Sequence, residues 1–347
     1  SFGGSEKKMI AVSVTEASQV AEARRTCVEL SQRNGFDEEA GGRVAIVATE
    51  LSTNLVKHGT GGQILVGIVE DEQGGPAIEV IAIDKGGGIA DLESALRDGV
   101  STAGTAGAGL GAIKRQSNCF EIFSQSGRGT VLVARLYAKP ENAKRGLGIS
   151  DPRPACVSVP YPGESVCGDG WAARAEGGVQ TLMVIDGLGH GPDAAKVSNE
   201  ALRLFDKYWQ EDPAEVVRCL HAGLRSTRGG AVAVARVEPA SKRVTYSGVG
   251  NISGAICSSN GDMRRMMSYN GTIGHNARNV QQLQYAMDRP EDTMIVMHSD
   301  GIGTSWQSSA YPGLIGRAPI LLASVLYRDF TRGRDDATVL VCKGVIS

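Results

Sequence analysis

The sequence predicts an α+β protein built as two domains in tandem, and three observations predict it. Its 347 residues exceed the roughly 100–200 that usually share one core. Residues 139–153 (KPENAKRGLGISDPR) lose periodicity and gather proline, glycine and charge, the composition of a linker. The texture also changes across that stretch: long helical periodicities precede strands before it, and paired strands dominate after it. The expected division is a first domain over 6–138, the linker at 139–153, and a second domain over 154–347.

In the first domain, residues 15–34 place Val20, Ala23, Cys27 and Leu30 at helical spacing and stop at Gly35. Asp37 caps a second helix that runs to about His58, with Gly59 at its end. Residues 63–69 and 77–83 are β-rich and joined by Asp71-Glu-Gln-Gly-Gly, a hairpin signal. A polar, glycine-bearing stretch leads to Gly107. A helix follows from about Gly109, then strands at 121–124 and 130–137. In the second domain strands are expected at 171–176 and 179–185 around Gly177-Gly178, then at 231–237, 244–249, 253–257 and 263–268. Helices are expected near 193–209, 214–226 and 317–328. No internal repeat is present.

Composition narrows the function classes. Charge is nearly balanced, 36 basic against 38 acidic residues, so no electrostatic footprint for nucleic acid or an anionic membrane exists. Seven cysteines without a CxxC pair and five dispersed histidines read as reduced thiols, not as a disulfide framework or zinc site. No apolar run reaches the roughly 18–20 residues of a membrane span, and no signal-peptide pattern appears. A soluble, cytoplasmic protein is expected. The 46 glycines cluster between periodic segments, where backbone needs positive φ or approaches a ligand.

Four acidic signals in the second half are each expected at the end of a β-like run: Cys167-Gly-Asp169-Gly, Ile185-Asp186-Gly-Leu-Gly-His-Gly191, His298-Ser-Asp300-Gly and Gly333-Arg-Asp335-Asp336-Ala-Thr. One Asp-Gly after a strand is most often only a turn. Four in one region are harder to dismiss, because carboxylates converging from separate strands suit hard divalent cations that want oxygen ligands. Two such cations about 3.5–4 Å apart activate a water and clamp a phosphoryl group. The string DGLGHG, the helix after it and the closing DDATVLV resemble the SpoIIE/RsbX branch of the PPM-type serine/threonine phosphatases over about 190 residues. That resemblance implies a β-sandwich flanked by helices and two Mn²⁺ or Mg²⁺ ions. It implies Asp186 as the bridging, catalytically central carboxylate, Gly187 as a ligand through its carbonyl, and Asp169, Asp300 and Asp335 as further ligands. Asp336 is expected beside the ligands and Asn251 on a loop near the site. Eukaryotic members of the class carry a histidine directly after the Asp-Gly, where this chain has Leu188. His190, two residues on, is either a proton donor to the leaving oxygen or a turn histidine with a structural hydrogen bond.

In the first half, Glu50, Asn54 and His58 fall at i, i+4 and i+8, on one face of the second helix. An ordinary amphipathic helix looks similar. Further on, Ile83-Asp84-Lys-Gly86-Gly-Gly88 closes a strand, and Gly104-Thr-Ala-Gly107-Ala-Gly109-Leu-Gly111 opens a helix whose N–H groups suit phosphate. A dinucleotide fold would require a strand directly before those glycines, and none is evident. The ordered set ExxxN, DxGxG, GxGxG and Gly127-Arg-Gly129-Thr130 resembles the GHKL ATPases over roughly residues 9–137, and among them the small anti-sigma-factor or RsbT-type serine kinases. The resemblance implies a GHKL (Bergerat) α/β sandwich that binds ATP with Mg²⁺. Asp84 would accept from the adenine amino group with Thr130 nearby, and Gly86 and Gly88 would shape that loop. Asn54 would hold Mg²⁺, Glu50 would act as general base, and Gly107, Gly109 and Gly111 would cradle phosphate. Arg97 is the only basic residue of the short lid, and Lys114 and Arg115 are candidates for the γ-phosphate.

Relatives of both halves act on small STAS-domain antagonist proteins phosphorylated on Ser or Thr. The expected function is therefore a bifunctional switch enzyme whose first half phosphorylates such an anti-sigma antagonist or stressosome-type partner and whose second half removes the phosphate. The alternative is a phosphatase whose first half only binds nucleotide or a partner. A homodimer stays open.

Overall fold

The computed structural model describes residues 8–71, 75–96, 107–139, 153–277 and 279–345. Nearly all of the expected linker, and Arg97, lie outside these residues. The chain divides into two compact units, one of residues 9–150 and the other formed mainly by residues 151–347.

The first unit is a layer of helices on one antiparallel sheet. Its strands are β1 (Ile10–Val14), β2 (Gly62–Asp71), β3 (Gly75–Asp84), β4 (Cys119–Gln125) and β5 (Gly129–Tyr137), in the order β1-β2-β3-β5-β4. Its helices are α1 (Ala17–Arg33), α2 (Glu38–Lys57), the short α3 (Leu92–Leu96) and α4 (Gly107–Gln116). Strand alternation sends Ile64, Val66, Ile78, Val80, Leu132 and Ala134 to the face that meets Ala23, Cys27, Val44, Val47, Leu51 and Ile113 of the helices. Asp37 caps α2 as expected, its side chain accepting from the Ala40 N–H at 2.8 Å. The edge strand β1 was not expected. Five residues, of which only Val12 and Val14 alternate inward, are too short a run to stand out by period.

The second unit has four layers. One sheet takes β7 (Asp169–Glu176), β8 (Val179–Gly187), β9 (Gly230–Glu238), β10 (Arg243–Val249) and β13 (Leu283–Ala286), in the order β13-β10-β9-β8-β7. The other takes β6 (Ala155–Val159), β11 (Ser253–Ser258), β12 (Met263–Met266), β14 (Thr293–His298) and β15 (Ala337–Lys343), in the order β12-β11-β14-β15-β6. Every neighbouring pair is antiparallel. Leu182, Val184, Ala233 and Tyr246 of the first sheet and Ile256, Ile295, Met297 and Leu340 of the second share one core between the sheets. On the outer face of the first sheet, Met183, Ile185, Val232 and Val234 pack against α5 (Pro192–Tyr208) and α6 (Pro213–Gly223). Helix α7 (Pro319–Phe330) covers β15 and β6 on the far side. The expected α/β sandwich followed by a helix-flanked β-sandwich is the observed fold. Strands β6 and β13 were not anticipated, being short and, in β13, mostly polar, and β14 and β15 were anticipated only as β-like runs beside the acidic strings.

Candidate active sites

In the first unit, α2 carries Glu50 and Asn54 half-buried on one face, and His58 at its C-cap. Helix α4 closes against that face. A Cβ on Gly109 would lie 2.9 Å from Glu50 Oε2 and 3.3 Å from Asn54 Oδ1, so only glycine permits this approach without displacing them. Asn54, Asp84, Gly88, Ile89, Leu110 and Thr130 line one pocket, with Leu51, Leu55 and Leu132 as apolar wall. Asp84 ends β3, and its Oδ1 accepts from the N–H groups of Gly86 at 2.8 Å and Thr130 at 3.3 Å. The Thr130 hydroxyl pairs with that of Ser124 at 2.9 Å. An aspartate, a threonine and an apolar wall around a pocket match what a purine ring requires: polar groups for its edge and greasy surface for its faces.

Two expectations change here. Helix α4 begins at Gly107, two residues earlier than expected, so Gly109 and Gly111 lie inside its first turns and not ahead of them. The N–H groups of its first four residues still lack helical partners, which keeps the phosphate-type terminus. Lys114 and Arg115 sit in the last turn of α4. At 1.5 Å per residue that is about 10–12 Å along the axis from Gly107, where the helix begins, and about 4–6 Å from Gly111.

In the second unit the acidic residues gather at one edge of the sandwich. They are not all strand-terminal in the expected sense: Asp169 opens β7, Asp186 is the penultimate residue of β8, Asp300 follows β14, and Asp335 precedes β15. Antiparallel neighbours reverse direction, so the start of one strand and the end of the next share an edge. Asp169 and Asp186 are direct partners in the ladder. Asp300 lies near enough to Asp186 for their charges to repel, and Asn251 Nδ2 donates to Asp300 Oδ2 at 2.6 Å. The Ser299 hydroxyl donates to Asp169 Oδ2 at 2.6 Å, and Ser299 is held in turn by the Thr338 N–H at 3.0 Å. Asp336 is buried, with Oδ1 accepting from the Tyr161 N–H at 2.8 Å and Oδ2 without a hydrogen-bond partner.

Burial and mutual repulsion dominate the electrostatics. Burial raises the Asp186 carboxyl far above the usual carboxylate range, and the charges of Asp169, Asp300, Asp335 and Asp336 add to it. Asp169 is raised by burial too, against the hydrogen bond from Ser299. Burial and Asp335 raise Asp300, with Arg332 opposing. Such a set of oxygens is what a hard divalent cation suits, and the orphaned Oδ2 of Asp336 shows that the protein itself does not satisfy all of them. Among the described residues no three acidic, histidine or thiol side chains already form a closed metal cage. The donor set fits a hard divalent cation in chemistry, its carboxylates lying at one edge of the sandwich without forming a closed cage.

His190 lies on the loop after Asp186, with Nδ1 3.0 Å from Glu164 Oε1 and its ring stacked on Tyr161 at 4.3 Å between centroids. Sequence reasoning missed Tyr161, Glu164, Ser299 and Thr338. The two hydroxyls flank the acidic strings directly and were readable as hydrogen-bond partners. Tyr161 and Glu164 stand in a loop with no signal pointing to the site. Among the described residues no helix is long and apolar enough to cross a membrane.

Comparison with known proteins divides the chain at the same place. A family described as "Histidine kinase-like ATPase domain" matches residues 13–136, and "Stage II sporulation protein E (SpoIIE)" matches 176–344. The second span begins after Asp169 and includes Asp186, Asp300 and Asp335. Serine/threonine-protein kinase RsbT of Bacillus subtilis (strain 168) is 35% identical over 121 residues, which are 35% of this chain and 90% of that protein. Phosphoserine phosphatase RsbX of the same organism is 22% identical over 140 residues, 40% of this chain and 69% of that protein. A crystal structure of RsbX in complex with magnesium shares the fold, with TM-score 0.50 and 20% identity over 56% of this chain and 94% of that one.

Proposed function

We propose that this chain, which belongs to the RsbT-type family of histidine kinase-like ATPase domains and carries a SpoIIE-type PPM phosphatase domain fused behind it, is a bifunctional switch enzyme. Its second domain removes phosphate from serine or threonine of a partner protein, and its first domain places phosphate there from ATP. The observation that carries the phosphatase reading is the convergence on Asp186 of four further carboxylates that repel one another. Asp169, Asp186, Asp300, Asp335 and the Gly187 carbonyl would hold two Mn²⁺ or Mg²⁺ ions. Such ions supply charge for the phosphoryl oxygens and a water of lowered pKa. The protein's own share is orientation: Ser299 fixes Asp169, Asn251 fixes Asp300, and the β7–β8 register fixes Asp169 against Asp186.

For the kinase reading, Asp84 and Thr130 would receive the adenine edge, with Gly86 and Gly88 shaping the loop. The start of α4 at Gly107, Gly109 and Gly111 would receive phosphate, Asn54 would hold Mg²⁺, and Glu50 would orient the accepting hydroxyl as general base. The contact of Gly109 with both Glu50 and Asn54 supports these roles, because it puts base and metal ligand beside the helix terminus. The partner is of the STAS-domain class, an anti-sigma antagonist or stressosome-type protein, and the setting is the cytoplasm. Placement of Lys114 and Arg115 in the last turn of α4, at the far end from Gly107, favours a second reading, in which the first domain senses nucleotide without transferring phosphate.

One experiment separates these. The protein is incubated with a STAS-domain protein and ATP, and phosphoserine and phosphothreonine are followed with and without Mn²⁺. Asp186→Asn should abolish dephosphorylation, and its retention would sink the phosphatase assignment. Glu50→Ala should abolish transfer while ATP still binds. If wild type and Glu50→Ala bind ATP equally and neither transfers phosphate, the sensing module is the correct reading.

A further inference from the structure

A phosphoserine or phosphothreonine ester leaves as an alkoxide, a very poor leaving group, so its hydrolysis gains from a proton donor placed at the bridging oxygen. The chain has Leu188, half-exposed, directly after Asp186-Gly187, and no titratable group there. His190 stands three residues beyond Gly187, on a loop turned by Gly189 and Gly191 at φ 90° and 73°.

The structure around His190 is built and not incidental. Glu164 Oε1 lies 3.0 Å from Nδ1, and since a carboxylate only accepts, Nδ1 donates. That fixes the imidazole with its other nitrogen, Nε2, pointing away from Glu164, and Nε2 makes no hydrogen bond among the described residues. The Tyr161 ring lies nearly parallel to the imidazole, 13° between planes. The same Tyr161 donates its backbone N–H to Asp336, whose own N–H donates to Asp335 Oδ1 at 3.0 Å. One short segment, 161–164, thus ties the imidazole to the edge of the acidic cluster. Gly191 is needed for this fit, since a Cβ there would lie 3.0 Å from Glu164 Oε1.

We propose that His190 is the general acid of the phosphatase reaction, delivering a proton from Nε2 to the departing serine or threonine oxygen, and that Glu164 and Tyr161 are its positioning residues. The inference rests on the phosphatase reading above. A water oxygen bonds to phosphorus, the P–O bond to the side chain breaks, and its electron pair goes to the side-chain oxygen. His190 protonates that oxygen and becomes neutral. The proton lost by the attacking water returns to the imidazole through solvent, so the products are the free alcohol and inorganic phosphate. Glu164 accepts from Nδ1 and so keeps Nε2 as the outward nitrogen, a carboxylate–imidazole pairing that needs no metal to be recognised.

The test compares two leaving groups on the Mn²⁺-loaded full chain: a phosphoseryl peptide, whose alkoxide requires the proton, and p-nitrophenyl phosphate, whose phenolate does not. In His190→Gln the ratio of the phosphoseryl to the nitrophenyl rate should fall roughly 100-fold. In Glu164→Gln, which leaves the imidazole in place, the ratio should fall about tenfold. Addition of imidazole should restore part of the phosphoseryl rate to His190→Gln. A loop brace would lower both rates together and leave the ratio unchanged, and that result overturns the proposal while the phosphatase reading stands. A wild-type protein that hydrolyses neither compound, with Asp186→Asn no different, overturns both.

Discussion

Asp169 and Asp186 face each other directly across the β7–β8 ladder, and both carboxyls are raised above their usual range by burial. Two inward-leaning acids as cross-strand partners are destabilising unless something neutralises them. In metal-free protein the folded state therefore holds protons that the unfolded chain releases near pH 4. Because the folded state binds more protons, stability falls as pH rises above that range, by up to about 1.4 kcal/mol per pH unit per group. Thermal melts in EDTA between pH 5 and 8 should show a falling Tm. Asp186→Asn in EDTA should melt higher than wild type and depend less on pH, and Mn²⁺ should raise the Tm of wild type far more than that of the variant. A wild-type Tm that does not respond to pH in EDTA would contradict this account.

How much of this was legible in the sequence follows from range. Asp186 and the three glycines that follow it, Gly187, Gly189 and Gly191, fall in one contiguous string, so the loop was readable, and so was the α2 face with Glu50 and Asn54 at helical spacing. The opposition of Asp169 to Asp186 depends on the register of a hairpin around Gly177-Gly178, which the strands expected at 171–176 and 179–185 only approximate. Tyr161 and Glu164 could not be found. Their link to Asp336 and His190 spans 175 and 26 residues of sequence, and is created by β6 pairing with β15, a strand too short to announce itself. The early start of α4 was hidden for a different reason. Glycine has low helix propensity, so a GxGxG run reads as loop, whereas here close packing on Glu50 and Asn54 overrides that preference.

Gly129 tests the architecture of the nucleotide pocket. It sits at φ 91°, and a Cβ there would lie 2.2 Å from the Asp84 carbonyl oxygen. Gly129→Ala is therefore strained in both conformation and contact, at a cost on the order of 1–3 kcal/mol or more. Because the neighbouring Thr130 N–H helps hold the Asp84 carboxylate, the substitution should weaken ATP binding as well. Calorimetric titration with a non-hydrolysable ATP analogue should show affinity reduced at least tenfold, with phosphatase activity retained. Unchanged affinity would remove Asp84 from the adenine site.

The pair Glu79–Arg135 makes a prediction about stability alone. The two are cross-strand partners on β3 and β5, both nearly inaccessible, with Arg135 Nη2 2.7 Å and Nε 3.1 Å from Glu79 Oε2. Removing Arg135 leaves the Glu79 charge buried, a loss of about 3–5 kcal/mol, while replacing both by apolar residues of similar volume is often neutral. Denaturant unfolding should find Arg135→Met strongly destabilised and Glu79→Leu/Arg135→Met largely recovered. If the double variant is as unstable as the single one, the pair has a role beyond mutual neutralisation.

His298 limits stability from the acid side. It is buried at the end of β14, where Trp306 Nε1 donates to its Nε2 at 3.2 Å. That donation leaves Nε2 as acceptor, so Nδ1 carries the proton and donates to the Ser299 carbonyl at 2.9 Å. The ring is thus held neutral, and burial lowers its pKa to about 4. The unfolded chain takes up a proton near pH 6.5 that the folded chain refuses, so stability is intact above that value and falls as pH drops toward 4, by about 3 kcal/mol over the interval. This slope is opposite in sign to that of the acidic cluster, and the two should give metal-free protein a narrow optimum. Metal should relieve only the alkaline limb. His298→Gln, which keeps an acceptor for Trp306 and cannot be protonated, should flatten the acid limb in thermal melts between pH 6.5 and 4.5 and leave the EDTA-dependent alkaline fall in place. An acid limb as steep in the variant as in wild type would assign that lability to other groups.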